Sequence, residues 1–144
     1  MLPEGHPLTA GYDVVCCNRC GFVYADTTVR QADYDRFYAQ FSKYEDRQTA
    51  TGGGDAPWDA ERLATTAAEV AAFLPDRRAR ILDIGCANGG LLRAFKDRGW
   101  GNVCGVDPSA ACVENTRRLH GIEAHVAALS AIPASLGPYD AVIL

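Results

Sequence analysis

The second half of the chain alternates short apolar runs with amphipathic stretches. Strands are expected at the apolar runs 81–82, 103–106, 121–126 and 139–144, and helices at the amphipathic stretches 59–74, 91–98 and 110–120. Alternating elements of this size are typical of a parallel sheet with right-handed crossovers. The pattern therefore predicts an α/β fold, a Rossmann-like parallel sheet of about four strands with flanking helices.

Polar residues and glycines mark the ends of the predicted helices. Asp59 stands at the start of the apolar stripe of the 59–74 helix and is expected to cap its N-terminus. Ser109 is expected to cap the 110–120 helix, and Gly121 is expected to end it.

The first fifty residues follow a different pattern. Two β-prone arms flank a short turn between residues 12 and 26, which predicts a hairpin. Aromatic residues at spacings of three and four over 31–45 predict a helix. We therefore expect a small N-terminal hairpin and helix segment at 1–50, a glycine-rich linker at 51–58 and the main α/β domain at 59–144.

The last apolar run stops at Leu144, within the fourth predicted strand. No turn, polar cap or tail follows this run, so we expect an incomplete domain that is truncated after this strand. An open sheet edge exposes unpaired backbone groups and favours pairing with another chain. A homo-oligomer formed through this edge is therefore one expected assembly.

Composition and charge narrow the class of protein. The 144 residues are 48% hydrophobic, enough for one modest core. The net charge of -4 gives no basic surface for nucleic acid or for an anionic membrane, and no apolar run approaches the ~20 residues of a membrane span. A cytoplasmic protein is expected, in which the six cysteines are reduced or bind metal.

A glycine-rich turn joins the first strand of the predicted sheet to a helix. Residues 83–90 read DIGCANGG, and Asp107 follows the next strand. A turn of this kind lets the backbone approach a ligand closely, and the carboxylate on the second strand can accept hydrogen bonds from ribose hydroxyls. The arrangement predicts a binding site for a nucleoside cofactor.

The residues of the turn discriminate between cofactors. A dinucleotide fingerprint would have glycine at Ala87, and Asp83 would be awkward beside a pyrophosphate. A carboxylate there favours a ligand with a positive charge. The turn contains Asp83, Gly85 and Gly89, and Asp107 follows the next strand. With these residues the chain resembles the class I S-adenosylmethionine-dependent methyltransferases.

The resemblance implies the cofactor, S-adenosylmethionine, and the residues that hold it. The methionyl end would lie against Asp83, Gly85, Cys86, Ala87 and Gly89, the ribose at Asp107, and the adenine near Leu129 and Ser130, where the family commonly has an acid. Tyr44 would donate to the cofactor carboxylate. No catalytic base is assigned. The acceptor implied is a small molecule, for example a sugar nucleotide or a secondary metabolite.

Cys17 and Cys20 have the spacing of half a zinc site, which usually has four nitrogen or sulfur ligands. The stretch 17–24 resembles the end of the zinc-binding module that precedes sugar C-methyltransferase domains. Zinc is therefore a second expected cofactor. The remaining ligands would come from residues upstream of the chain or from His6 and Cys16, and a hairpin without metal is the alternative.

Two other functions stay open from the residues. An NAD(P)-binding oxidoreductase would use Gly85 and Asp107 but would leave Asp83 without a role. A non-catalytic partial domain would bind zinc or a partner through the hairpin and would bind no nucleoside.

Overall fold

The computed structural model describes residues 12–40, 53 and 55–144. The chain divides into two compact units, Met1–Phe41 and Ser42–Leu144. None of the described helices is long and apolar enough to cross a membrane.

The N-terminal unit contains the predicted hairpin. Strand β1 (Asp13–Cys16) pairs antiparallel with β2 (Val23–Asp26), and Cys16 is opposite Val23 at the turn. Helix α1 (Gln31–Gln40) follows, and it begins at the residue where the predicted 31–45 helix begins.

The second unit is an α/β unit built on a parallel sheet. Its elements in chain order are α2 (Pro57–Ala71), β3 (Ile81–Ile84), α3 (Gly90–Asp97), β4 (Val103–Asp107), α4 (Ala110–His120), β5 (Glu123–Val126) and β6 (Ala141–Ile143). The strand order is β5-β4-β3-β6, and every pair is parallel. This architecture confirms the predicted Rossmann-like fold.

The larger core cluster lies on the sheet face that the helices cover. Phe95 and Trp100 meet edge to face at 6.0 Å, and both are almost completely buried. Trp100 Nε1 donates to the Asp76 carbonyl at 3.2 Å, and the Arg77 guanidinium stacks 3.4 Å above the indole. These contacts hold the α3–β4 connection against the segment that precedes β3. A smaller cluster on the opposite face contains Leu82, Cys104 and Val106.

Two of the three predicted helix caps are confirmed. Ser109 Oγ accepts a hydrogen bond from Cys112 N, and Gly121 adopts the left-handed conformation after α4. The prediction that Asp59 caps α2 is wrong, because the helix begins two residues earlier at Pro57 with Ala56 as its N-cap. Proline is favoured in the first helical turn, where its missing N–H is not needed.

Asp59 instead lies inside the first turn of α2. It is 1% exposed, and its Oδ1 accepts a hydrogen bond of 2.7 Å from the Arg62 guanidinium one turn later. The helix also ends at Ala71, three residues short of the predicted end at residue 74.

Candidate cofactor site

The candidate site lies at the carboxyl ends of β3, β4 and β5. Because these strands are parallel, their C-terminal ends meet at one edge of the sheet, where α/β proteins bind ligands. Asp83 and Asp107 are near the ends of β3 and β4. Ala127 N donates to the Asp107 carbonyl at 3.1 Å, so the segment after β5 begins beside the same edge.

The turn after β3 is fastened to β4 through its backbone. Gly85 N and Cys86 N both donate to the Val106 carbonyl, at 2.7 and 3.1 Å, and Gly89 N donates to the Cys86 carbonyl at 2.9 Å. Gly85 and Gly89 have φ angles of 84° and 79°, which only glycine adopts without strain. The turn is therefore preorganised, and α3 begins directly after it.

Ala87 is held from both sides of the turn. Its N–H donates to Asp107 Oδ2 at 2.9 Å, and its carbonyl accepts a hydrogen bond of 3.1 Å from Thr116 Oγ1 on α4. Its φ of 46° is unusual for a residue with a side chain. These two bonds stabilise a conformation that alanine would otherwise seldom adopt.

Asp107 is an anchor for backbone as well as a candidate ribose ligand. Its Oδ1 accepts from Ser109 N at 2.8 Å, and the carboxyl group is 7% exposed. Burial raises the pKa of Asp107, and the hydrogen bonds from Ser109 and Ala87 partly oppose that effect. A carboxylate has about four lone-pair sites, so acceptor capacity remains for ligand hydroxyls.

Asp83 is a buried carboxyl group without a hydrogen-bond donor among the described residues. It is 6% exposed within β3. Burial raises its pKa to about 7, and repulsion from the Asp107 charge adds to the effect. Two acids therefore lie beside the turn, and the resulting field favours a cationic group at this edge.

The Cys86 thiol belongs to the core. A Cβ atom built on Gly105 would come 2.6 Å from Cys86 Sγ, so the sulfur fills the space that glycine leaves in β4. Burial raises the pKa of this thiol strongly, which disfavours the nucleophilic thiolate. A role of Cys86 at the cofactor site would therefore fall to its backbone.

Helix α4 supplies two site residues that sequence analysis missed. Thr116, which is fully buried, holds the Ala87 carbonyl, and Asn115 Nδ2 donates to Asn88 Oδ1 at 3.0 Å. The available signal was a polar pair, Asn115 and Thr116, in the middle of an otherwise amphipathic helix next to a glycine-rich turn.

The structure describes only some of the residues that are expected to contact the adenine and the cofactor carboxylate. Leu129 and Ser130 lie in a short 3₁₀ turn, Leu129–Ala131, after β5; both are exposed, and Leu129 is 63% exposed. Tyr44 lies outside the described residues. The structure thus brings Asp83, the turn and Asp107 together.

The hairpin thiols form a separate feature in the N-terminal unit. Cys17 N donates to Phe22 O at 2.8 Å and Gly21 N donates to Cys17 O at 2.9 Å, which closes a tight turn. Hydrogen bonds from the backbone of Cys20 and Arg19 to its sulfur lower the pKa of Cys17. Cys16 Sγ donates instead to the Gly21 carbonyl at 3.5 Å. Within the described residues, the three hairpin sulfurs do not converge on one point.

Residues 58–144, more than half of the chain, match the family described as Methyltransferase domain. The chain therefore belongs to the methyltransferase domain family. The prediction of a methyltransferase is confirmed at the level of this family. A search of curated protein sequences found no match.

Three solved structures are similar to the chain. Magnesium protoporphyrin IX methyltransferase from Synechocystis PCC 6803, with bound SAM, is 20% identical with a TM-score of 0.49, over 58% of this chain and 42% of that one. DesVI from Streptomyces venezuelae is 24% identical with a TM-score of 0.47, over 56% of this chain and 35% of that one. CalS10 from Micromonospora echinaspora, an amino pentose methyltransferase with SAM bound, is 22% identical with a TM-score of 0.48. The match covers 83% of this chain and 43% of that one. The chain thus spans less than half the length of each of these structures.

Proposed function

We propose that the chain binds S-adenosylmethionine at the carboxyl edge of its sheet and belongs to an enzyme that transfers the methyl group to a small-molecule acceptor. The observation that carries this proposal is the buried Asp83 carboxyl beside Asp107. A buried acid without a donor is costly unless a cation compensates it. The ammonium and sulfonium groups of this cofactor provide that charge.

Each residue of the site has a distinct part in the proposal. Asp83 attracts the positive methionyl end, and the backbone of the turn from Gly85 to Gly89 lies against it. Asp107 accepts hydrogen bonds from the ribose diol with the acceptor capacity that Ala87 and Ser109 leave unused. Leu129 and Ser130 border the adenine, and Tyr44 donates to the cofactor carboxylate.

The bound cofactor would supply an electrophilic methyl group, so the protein's contribution is orientation and exclusion of water. The rigid turn fits this requirement, since Val106 and Thr116 hold its backbone. We assign no general base. The acceptor we propose is a sugar nucleotide or another secondary metabolite, and its support is the resemblance of 17–24 to the module that precedes sugar C-methyltransferase domains.

The same geometry disfavours a dinucleotide. A pyrophosphate needs backbone N–H groups as donors. Four N–H groups of the turn are already engaged within the protein, because Gly85 N, Cys86 N and Gly89 N donate to carbonyl groups and Ala87 N donates to Asp107. A pyrophosphate would therefore depend on the N–H groups at the start of α3 alone. The two neighbouring acids would also repel the phosphates.

For the hairpin we infer that Cys17 and Cys20 are two ligands of a zinc ion. Backbone N–H groups directed at the Cys17 sulfur favour the thiolate that zinc requires. The other two ligands would come from outside the described residues. Mass spectrometry of the native chain tests this: the number of bound zinc ions should fall by one in Cys17→Ser and stay unchanged in Cys16→Ser.

Calorimetric titration with S-adenosylhomocysteine tests the cofactor proposal, with NAD as the competing ligand. We expect binding of the homocysteine compound, no binding of NAD, and a loss of affinity of at least ~10-fold in Asp107→Ala. Asp97→Ala is the matched control, because Asp97 is an exposed acid that pairs with Arg93 on α3. Binding of NAD alone, or no nucleoside binding by a folded chain, would contradict the proposal.

A further inference from the structure

Three potential metal ligands meet on the sheet face away from the helices. Cys104 on β4 is in register with Glu123 on β5, and His125 follows two residues later. Side chains of registered partners in a parallel pair share a face, and so do residues two apart in a strand. The strand pairing therefore brings the thiol, the carboxylate and the imidazole together.

The ligand atoms of these three residues lie within 4.8 Å of one another. This is the one group of its kind in the part of the chain that the structure describes. His125 Nε2 is 2.9 Å from Glu123 Oε1. In tetrahedral zinc sites with bond lengths of about 2.0–2.3 Å, ligand atoms are separated by roughly 3.3–3.6 Å. Small rotamer changes of Glu123 and His125 would therefore bring the three ligand atoms to the distances that an ion requires.

The three side chains differ in their exposure to solvent. Cys104 is buried, the His125 side chain is 33% exposed and the Glu123 side chain is 69% exposed. Cys104 and Glu123 also line a cleft of about 490 Å³ together with Tyr139. An ion can therefore reach the thiol from the solvent, and a water molecule has room to occupy a fourth position.

We propose that Cys104, Glu123 and His125 bind one divalent transition-metal ion of the zinc type on this face. Sulfur, nitrogen and oxygen ligands together suit zinc and its close relatives rather than magnesium or calcium. The site is separate from the cofactor edge, because its ligands lie on the face of β4 and β5 and not in the turn after β3. A bound ion would link the edge strand β5 to β4.

The neighbouring groups affect the strength of the site. Tyr139 is within hydrogen-bonding reach of the Cys104 thiol, and Arg80 lies 4.9 Å above the Tyr139 ring. The Arg80 charge weakens binding of a cation, whereas Tyr139 can donate to the metal-bound sulfur. A thiol must lose its proton to bind an ion, so affinity should rise with pH.

Cobalt(II) titration of the full chain, freed of metal with a chelator, tests the proposal. The background is Cys17→Ser/Cys20→Ser, which removes the hairpin thiols. We expect one equivalent to bind, with visible bands of tetrahedral cobalt and a near-ultraviolet band from thiolate to cobalt. Zinc should displace the cobalt and raise the thermal unfolding midpoint.

Single substitutions in this background identify the ligands. Cys104→Ala should abolish the thiolate band, while His125→Gln and Glu123→Gln should each weaken binding by at least ~10-fold. Cys112→Ala is the matched control, since it removes another buried thiol and should change nothing. His125 and Glu123 lie toward the surface, so their variants remain informative even if Cys104→Ala does not fold. Absence of cobalt binding, or affinity unchanged in His125→Gln, would overturn the proposal.

Discussion

Asp107 Oδ2 accepts a hydrogen bond of 2.9 Å from Ala87 N, which joins the end of β4 to the turn after β3. The same carboxylate accepts from Ser109 N through Oδ1 and so also fixes the start of α4. One acid therefore positions the loops that follow two neighbouring strands. These two hydrogen bonds also hold the Asp107 carboxylate at the cofactor edge of the sheet.

Asp107→Asn should lower both stability and cofactor affinity. An amide offers one oxygen in place of two, so either Ala87 N or Ser109 N loses its acceptor while buried. The free energy of unfolding should fall by about 1–3 kcal/mol, and the affinity for S-adenosylhomocysteine should fall at least ~10-fold. Urea unfolding and calorimetry measure the two effects. Asp97→Asn, on the exposed surface of α3, should change stability by less than ~1 kcal/mol and leave affinity intact.

The sequence was sufficient to predict the sheet, the glycine-rich turn and the two acids, since each depends on local pattern. It was not sufficient to predict Thr116, because its contact with Ala87 O depends on how α4 packs against the turn, 29 residues away. The Asp59 error has a similar origin. A favourable local signal for a cap competed with Pro57, and the helix began at the proline.

Cofactor affinity should depend on pH through Asp83. Burial raises the pKa of this acid to about 7 in the free protein, and only the ionised form attracts a cationic ligand. Affinity for S-adenosylmethionine should therefore be constant above pH 7 and fall by up to ~10-fold per pH unit below it. Asp83→Asn should bind more weakly and show a flatter profile. An unchanged pH profile in this variant would rule out Asp83 as the titrating group, and Asp107 would then be the next acid to test.

The same acid should lower the stability of the ligand-free chain. Its folded pKa is above the ordinary value of 3.8, so the ionised form is disfavoured by folding. This cost is absent well below pH 4, grows between about pH 4 and 7, and is fully present above 7. Asp83→Asn should therefore stabilise the free protein at pH 8, by up to about 4 kcal/mol, and by less at pH 5. Urea unfolding at the two pH values measures this difference, and a destabilised variant at pH 8 would contradict it.

Gly89→Ala should be strongly destabilising because two effects combine. The backbone has a φ of 79°, and a Cβ atom would come 2.7 Å from Thr116 Cγ2. The left-handed conformation costs alanine about 1–2 kcal/mol, and overpacking typically adds about 1–3 kcal/mol. Gly99→Ala is the matched control, since Gly99 has a φ of 97° but no atom within 4 Å of an added Cβ. It should show the conformational cost alone.

A double-mutant cycle separates the two effects at Gly89. Thr116→Ala removes the two atoms that the new Cβ would meet most closely, Cγ2 and Oγ1, so Gly89→Ala should cost less in that background than in the wild type. The expected coupling is about 1 kcal/mol or more, measured by urea unfolding. Strictly additive effects would show that the clash is relieved elsewhere in the loop.

The six cysteines should separate into two reactive classes. The three hairpin thiols, Cys16, Cys17 and Cys20, are exposed or half-buried, whereas Cys86, Cys104 and Cys112 are buried. A disulfide reagent that releases a coloured thiolate should therefore titrate three thiols in the native chain at pH 7 and six in urea, with chelator present to remove metal.

Within the reactive class, Cys17 should react first. Hydrogen bonds from the backbone of Cys20 and Arg19 lower its pKa and increase its thiolate fraction at neutral pH. Cys17→Ser should remove the fastest phase, while Cys16→Ser should leave that phase in place. Reaction of a fourth thiol in the native chain would show that the sheet opens to solvent at Cys86, Cys104 or Cys112. Added zinc should slow the fast phase if the hairpin holds the metal, because a thiolate bound to zinc is shielded from the reagent.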